Sequence, residues 1–279
     1  MIYLPLTTAI PDETPVRDEA STGSAAAAVR EPPRTLDLPL RVHGAGPAPG
    51  TTPRGAASGF FRDPDAFRAL AALVPSLFAD RGADEAVRVW VAGCAAGEEA
   101  WSIAILLGEH AATLQDPPTI QLFATDTDAA GCARGRDALY LASAVAGLPA
   151  GRLSRWFAWE GGGYRVAGPL RQAVLFAVHD VLRDPPFDGL DLVVCRNLLP
   201  RLPEEARARA VETFHDALRP GGVLFLGAAE SAGDDERFVP AAGAQGIYHR
   251  GAGPDEAPAW LPAAVDGGID TADASGSRA

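Results

Sequence analysis

Lysine is absent, and all 24 basic residues are arginine. Set against 36 acidic residues, they leave a net charge of −12 and an isoelectric point near 4.8. That balance excludes a broadly basic surface, and with it nucleic acid or an anionic membrane as the expected partner. In a chain with 30 glycines and 24 prolines, the arginine-only usage reads as compositional bias. Cysteine is scarce: Cys94, Cys132 and Cys195 are odd in number and widely spaced. No CxxC spacing occurs, so neither a disulfide framework nor a metal site is implied, and small buried thiols are expected. No apolar run is long enough to cross a bilayer. The N-terminus MIYLPLTTAIPDE lacks the positive start and long apolar core of a signal peptide, so a cytoplasmic protein without membrane insertion is expected. Hydrophobic periodicity is also missing from residues 1–55 and 251–279, which are rich in Ala, Pro, Gly and Thr and read as low-complexity, disordered segments. Residues 56–250 remain as the ordered domain, and a 47% hydrophobic chain can give it one good-sized core.

What that domain does contain is clearest in RVWVAGCAAGEEAWSIAILLGE, residues 88–109. Val89 to Ala92 form a short apolar run of strand character. Gly93 and Gly97 bracket a tight loop. Ile103, Ala104, Leu106 and Leu107 then repeat at helical spacing. Glycine lets backbone approach a ligand closely. Glu98 and Glu99 directly after the loop would repel a phosphate while suiting the positive end of a helix. An acidic-lipped glycine loop favours a ligand with a positive end and hydroxyls, such as S-adenosylmethionine.

Strand and helix signals alternate around this unit. Asp63 and Pro64 open an amphipathic helix, with Asp63 as the expected N-cap. Thr119–Asp126, Ala173–Asp180 and Leu190–Asn197 read as strands, DAAGCARGRDALY and PEEARARAVETFHDAL as helices, and GGVLFLGAAES as a fifth strand. RFVPAAGAQGIYHR reads as a terminal antiparallel pair. This order predicts an α/β fold with a doubly wound, mostly parallel sheet. The aromatic and glycine-rich stretch 152–174 breaks the alternation and reads as a small antiparallel insertion.

In such sheets ligands bind beyond the carboxyl ends of the strands. Asp126 ends the second strand, where a carboxylate accepts from ribose hydroxyls; its plain alternative is a helix N-cap. Asp180 and the Val181 amide end the third strand and suit an adenine amino group and ring nitrogen. Arg196 and Asn197 follow an apolar strand, and a charge there needs a partner, with Glu98 or Glu99 as the ordinary choice.

Five collinear runs carry a family resemblance: GFFRDPDAF, RVWVAGCAAGEEAWSIAILL, IQLFATDTD, RDPPFDGLDLVVCRNLL and RPGGVLFLGAAES. Together they resemble the catalytic domain of CheR-type chemotaxis receptor protein-glutamate O-methyltransferases. The resemblance implies a seven-stranded class I methyltransferase sheet, S-adenosylmethionine as cofactor and glutamate carboxylates of a protein partner as methyl acceptor. It implies that 152–174 is the family's β-subdomain, which in some members docks a receptor peptide. It further implies cofactor contacts from Ser58, Arg62, Gly93, Asp126, Asp180, Val181, Arg196 and Asn197, with Glu98 or Glu99 on the methionine amino group.

The chain departs from the family pattern in places. Pro200 and Arg201 stand in NLLPRL where an Ile-Tyr pair is usual, and that Tyr lies beside the transferred methyl. Ala96 replaces a frequent Thr, and Ser58 stands where Thr is common. Three readings follow: a protein-glutamate methyltransferase, a related enzyme with a small-molecule acceptor, or a cofactor-binding regulatory module without turnover. No catalytic residue is named from sequence.

Overall fold

The computed structural model describes residues 59–233 and 237–251. The expectations for Ser58 and for the segments 1–55 and 252–279 therefore fall outside the described residues.

The chain begins with helix α1 (Pro64–Phe78), then β1 (Ala86–Ala92), α2 (Glu98–Ala111), β2 (Thr119–Asp126), α3 (Ala129–Asp137) and β3 (Leu139–Tyr140). Two short helices follow, α4 (Ala142–Val145) and α5 (Ala150–Trp156), and then a hairpin of β4 (Phe157–Glu160) and β5 (Gly163–Val166). After α6 (Gly168–Ala173) come β6 (Val174–Val178) and β7 (Leu190–Cys195). A single 3₁₀ turn (Leu199–Arg201), α7 (Glu204–Ala217), β8 (Leu218–Leu226), β9 (Phe238–Pro240) and β10 (Ile247–Arg250) complete it.

Seven strands form one sheet in the order β6-β2-β1-β7-β8-β10-β9. The first five are mutually parallel, β10 runs antiparallel to β8, and β9 antiparallel to β10. The strand order reverses between β1 and β7, so the switch point lies at the glycine loop. Side chains alternate across the sheet as a period of two requires. Val87, Val89 and Val91 pack with Leu192, Val194, Val223 and Phe225 against α1 and α2 on one face. Trp90, Val193, Cys195, Leu224 and Leu226 pack against Phe214 and Val211 of α7 on the other. All three cysteines are free and buried, as expected.

Several boundaries differ from the sequence reading. Leu139 and Tyr140 continue no helix: α3 stops at Asp137, Ala138 turns left-handed (φ 55), and the pair joins a second, three-stranded sheet in the order β3-β5-β4. The 152–174 insertion therefore borrows a strand from upstream, and it carries helical turns at both ends of its hairpin. Strands β6 and β7 stop at Val178 and Cys195, leaving His179-Asp180 and Arg196-Asn197 in the loops beyond. Alternation also fails between β6 and β7. Pro185 and Pro186 lie in the β6–β7 connection, where no helix forms, and Phe187 stacks on Phe123 at 4.5 Å to cover the sheet instead. Nor is β7 wholly apolar: Asp191 is completely buried, held by Arg81, Arg219 and the Arg88 amide at the far end of the sheet. No helix among the described residues is long and apolar enough to cross a membrane.

Candidate functional site

The glycine loop folds back along β2. The Gly93 and Cys94 amides both donate to the Thr125 carbonyl, at 2.8 and 2.9 Å. Gly97 has φ 94, and a Cβ there would lie 2.9 Å from both the Gly135 Cα and the Tyr140 hydroxyl. Only glycine satisfies that torsion and that spacing together. Helix α3 reaches the loop equally closely: a Cβ on Gly131 would sit 2.6 Å from the Ala95 carbonyl, and one on Gly135 would overlap the Phe176 ring. The GCARG run thus has a packing reason that its helical reading did not reveal. From the small sheet, the Tyr140 hydroxyl donates to the Ala96 carbonyl at 2.8 Å. Burial, and then the Glu98 carboxylate, push that phenol above its usual range, so it stays a donor. Glu98 itself is buried at the start of α2, where its carbonyl accepts from Ser102.

Asp126 is half-buried at the end of β2. Its Oδ2 accepts from the Ala95 amide and its Oδ1 from the Asp128 amide, both at 2.9 Å. Each oxygen keeps a further lone pair for a hydroxyl. The helix N-cap is Asp128, whose Oδ1 accepts from the Ala130 amide. The plain alternative for Asp126 is thereby taken by its neighbour. Beyond β6, Asp180 Oδ1 accepts from the Leu182 amide. His179 is turned away, its Nε2 on the Pro185 carbonyl and its ring against Trp90 and Phe187.

Arg196 is the charged group most deeply placed here. Its side chain is 0% exposed. One guanidinium nitrogen donates to Glu99 at 3.0 Å and to the Arg62 carbonyl at 3.2 Å, and the other pairs with Asp63. The cation lies over the Phe67 and Phe225 rings, 5.3 and 4.9 Å from their centroids. The ordinary partner foreseen for it, a glutamate of the pair, is present as Glu99, and Asp63 joins it. Arg196 therefore faces protein, and any hold it has on a ligand is exerted through Glu99 and Arg62. Asp63 occupies the N-cap position with φ 62, yet its side chain makes no cap bond and serves Arg196. Burial pushes the Glu99 carboxyl up to about 7, against the lowering effect of Arg196. Of six described non-glycine residues with positive φ, four lie here: Phe61, Asp63, Ala95 and Asn197. Such torsions cost about 1 kcal/mol each and persist where the surroundings over-determine them.

The strand ends, the glycine loop and the acidic residues thus converge on one edge of the sheet. The family described as "CheR methyltransferase, SAM binding domain" matches residues 56–246. The chain belongs to this CheR methyltransferase family. Its domain is of the S-adenosylmethionine-dependent methyltransferase class, and its cofactor is S-adenosylmethionine. Among curated relatives, an "Uncharacterized 104.1 kDa protein in hypE 3'region" of Rhodobacter capsulatus is 40% identical over 62% of this chain and 18% of that protein. "Chemotaxis protein methyltransferase 2" of Vibrio cholerae serotype O1 is 32% identical over 62% of this chain and 61% of that protein. "Chemotaxis protein methyltransferase" of Listeria innocua serovar 6a is 34% identical over 62% and 64%. The chain spans less than two thirds of each of these relatives.

Within this CheR-family domain, one acidic residue escaped the sequence reading. Glu230 lies in the turn after β8, and its carboxylate accepts backbone amides from Asn197, Leu199 and Gly227. GAAES reads as the end of the fifth strand and of a family-resemblance run, and no local pattern distinguishes its glutamate. Behind Glu230 lies a cavity of about 840 Å³, bordered by Leu199, Pro200, Glu204, Arg207 and Val211. It sits against α7, away from Asp126 and the glycine loop. Arg201, in place of the family's tyrosine, is exposed at the end of the 3₁₀ turn.

Proposed function

We propose that this domain transfers a methyl group from S-adenosylmethionine to a glutamate carboxylate of a protein partner. The observation that carries the reading is the order of groups along the sheet edge. Asp180, Asp126, the glycine loop and Asn197 follow β6, β2, β1 and β7 in the spatial order of those strands. That order runs parallel to the cofactor's own sequence of adenine, ribose, sulfonium and amino acid. The residues fit the group: Asp126 keeps lone pairs for ribose hydroxyls, Asp180 stands beyond β6 for the adenine, and Glu99 offers a carboxylate toward a positive end.

Bound S-adenosylmethionine supplies an electrophilic methyl on a sulfonium. The chain's own work is then placement. Asp126 orients the ribose, Gly93 and Gly97 set the loop's turn through their positive φ, with Gly97 packed on Gly135 and Tyr140, and Glu99 takes the ammonium. Arg62 is held by its carbonyl on Arg196 and stands near Glu99, where its guanidinium can orient an acidic acceptor. A carboxylate acceptor is already a nucleophile, so alignment and exclusion of water suffice and no strong base is needed. The relatives named as chemotaxis protein methyltransferases support a protein as that acceptor, and the family resemblance implies its glutamates.

One observation favours a second reading. Arg201 removes the family's aromatic ring and puts an exposed cation at the end of the 3₁₀ turn after β7, which suits a small carboxylic acid, or a module that has lost turnover. Incubation with methyl-labelled cofactor and candidate acceptors separates these. Base-labile label on protein is expected. Label on a small acid selects the second acceptor, and no transfer despite cofactor binding selects the inactive module.

A further inference from the structure

We infer that Glu230 is the positioning residue for the amino-acid end of the cofactor crevice. The inference rests on the cofactor placement proposed above. With ribose at Asp126 and adenine at Asp180, the amino-acid end lies over β1 and β7, beside Asn197.

Asn197 is exposed and holds a left-handed backbone (φ 61). Its amide is fixed by Glu230 Oε2 at 2.8 Å. The same oxygen takes the Gly227 amide at 2.6 Å, and Oε1 takes the Leu199 amide at 3.1 Å. A turn bond from the Glu230 amide to the Gly227 carbonyl, 2.9 Å, fixes the carboxylate's own base. One half-buried side chain thus ties the end of β8 to the end of β7 and to the first residue of the 3₁₀ turn. Three amides on one carboxylate are charge-assisted bonds, stronger than neutral ones. No backbone pairing joins these two loops beyond Cys195 and Leu226, where the β7–β8 register ends. Without Glu230, no other group among the described residues accepts the Asn197 amide, and the strained torsion relaxes. The adenosine half of the crevice is fixed independently, by Asp126, Thr125 and α3.

The test separates the two halves with two ligands: S-adenosylhomocysteine, and 5′-methylthioadenosine, which keeps the adenosine but lacks the amino-acid end. Both are titrated calorimetrically into the full chain, unaltered and as Glu230→Ala and Glu230→Gln. Glu230→Ala is expected to weaken S-adenosylhomocysteine about tenfold or more while leaving methylthioadenosine within about twofold. Glu230→Gln is expected to fall between, since its carbonyl can still take two amides while its NH₂ faces the Leu199 amide. If Glu230→Ala does not fold, Glu230→Gln decides alone. Equal losses for both ligands would show general loosening and overturn the inference, as would no loss for either. Failure of the unaltered chain to bind S-adenosylhomocysteine would instead sink the cofactor placement itself.

Discussion

The two halves of the crevice are built by different physics. On the β1–β2 side the backbone does the holding. Thr125 takes two loop amides, Asp126 takes a third, and α3 closes in through Gly131 and Gly135. On the β7–β8 side, charged side chains span long stretches of sequence: Arg196 reaches Asp63 and Glu99, and Glu230 gathers three amides. The first half depends on what is missing, namely Cβ atoms. The second depends on what is present, namely charge in a poorly solvated place. A half made by close approach tolerates no added atom, and a half made by buried charge tolerates no lost partner.

The largest effect should therefore come from Arg196→Met, which keeps volume and removes the cation. It leaves Asp63 and Glu99 facing each other. Breaking a buried pair costs about 3–5 kcal/mol, and the low end applies because Asp63 is 49% exposed. A loss of about 3 kcal/mol in denaturant unfolding is expected; a change under about 1 kcal/mol would mean that ring packing, not charge, holds this half.

Next comes Gly135→Ala. Alanine ordinarily stabilises a helix interior by up to about 1 kcal/mol over glycine. Here the added methyl must displace the buried Phe176 ring, so a net loss of about 2 kcal/mol is expected. A raised melting temperature would remove close packing as the basis of the β1–β2 half.

Asp126→Ala should weaken both S-adenosylhomocysteine and methylthioadenosine, by roughly thirtyfold each, since both carry the ribose. This is the opposite pattern to Glu230→Ala. Unchanged affinity would leave Asp126 as a brace for Ala95 and Asp128 alone.

The same division explains what the sequence disclosed. The glycine loop and the acidic strand end at Asp126 are local patterns, each within a dozen residues; the alternation of such patterns predicts the mostly parallel sheet, and its seven strands follow from the family resemblance. Asp63 looked like an N-cap because Asp before Pro usually is one. Its true partner, Arg196, lies 133 positions away, and no local pattern carries such a pairing. Glu230 was hidden for the same reason. Leu139-Tyr140 was misread because its strand partner, β5, lies more than twenty residues downstream. The Gly131–Gly135 spacing was visible in the sequence, but its meaning required knowing that α3 packs on the loop.

The smallest expected effect concerns Glu99, where the two halves meet. Its carboxyl is raised from 4.5 to about 7, chiefly by burial. The groups that face it are Arg196 from the end of β7, Arg62 from the segment before α1, and Glu230 from the turn after β8. A raised carboxyl favours the protonated form in the ligand-free fold. The stability it contributes is complete below about pH 4.5 and is lost as pH rises through about 7. A ligand ammonium reverses the preference, because it requires the carboxylate. Cofactor affinity should therefore rise with pH, by about tenfold at most between pH 6 and 8, and level off above. Glu99→Gln should bind more weakly and show a flat profile over the same interval. Affinity that falls or stays level with rising pH in the unaltered chain would remove Glu99 as the ammonium partner. The positive end of the ligand would then have to be met by the backbone around Asn197, and the β7–β8 half would act through its dipoles instead of its charges.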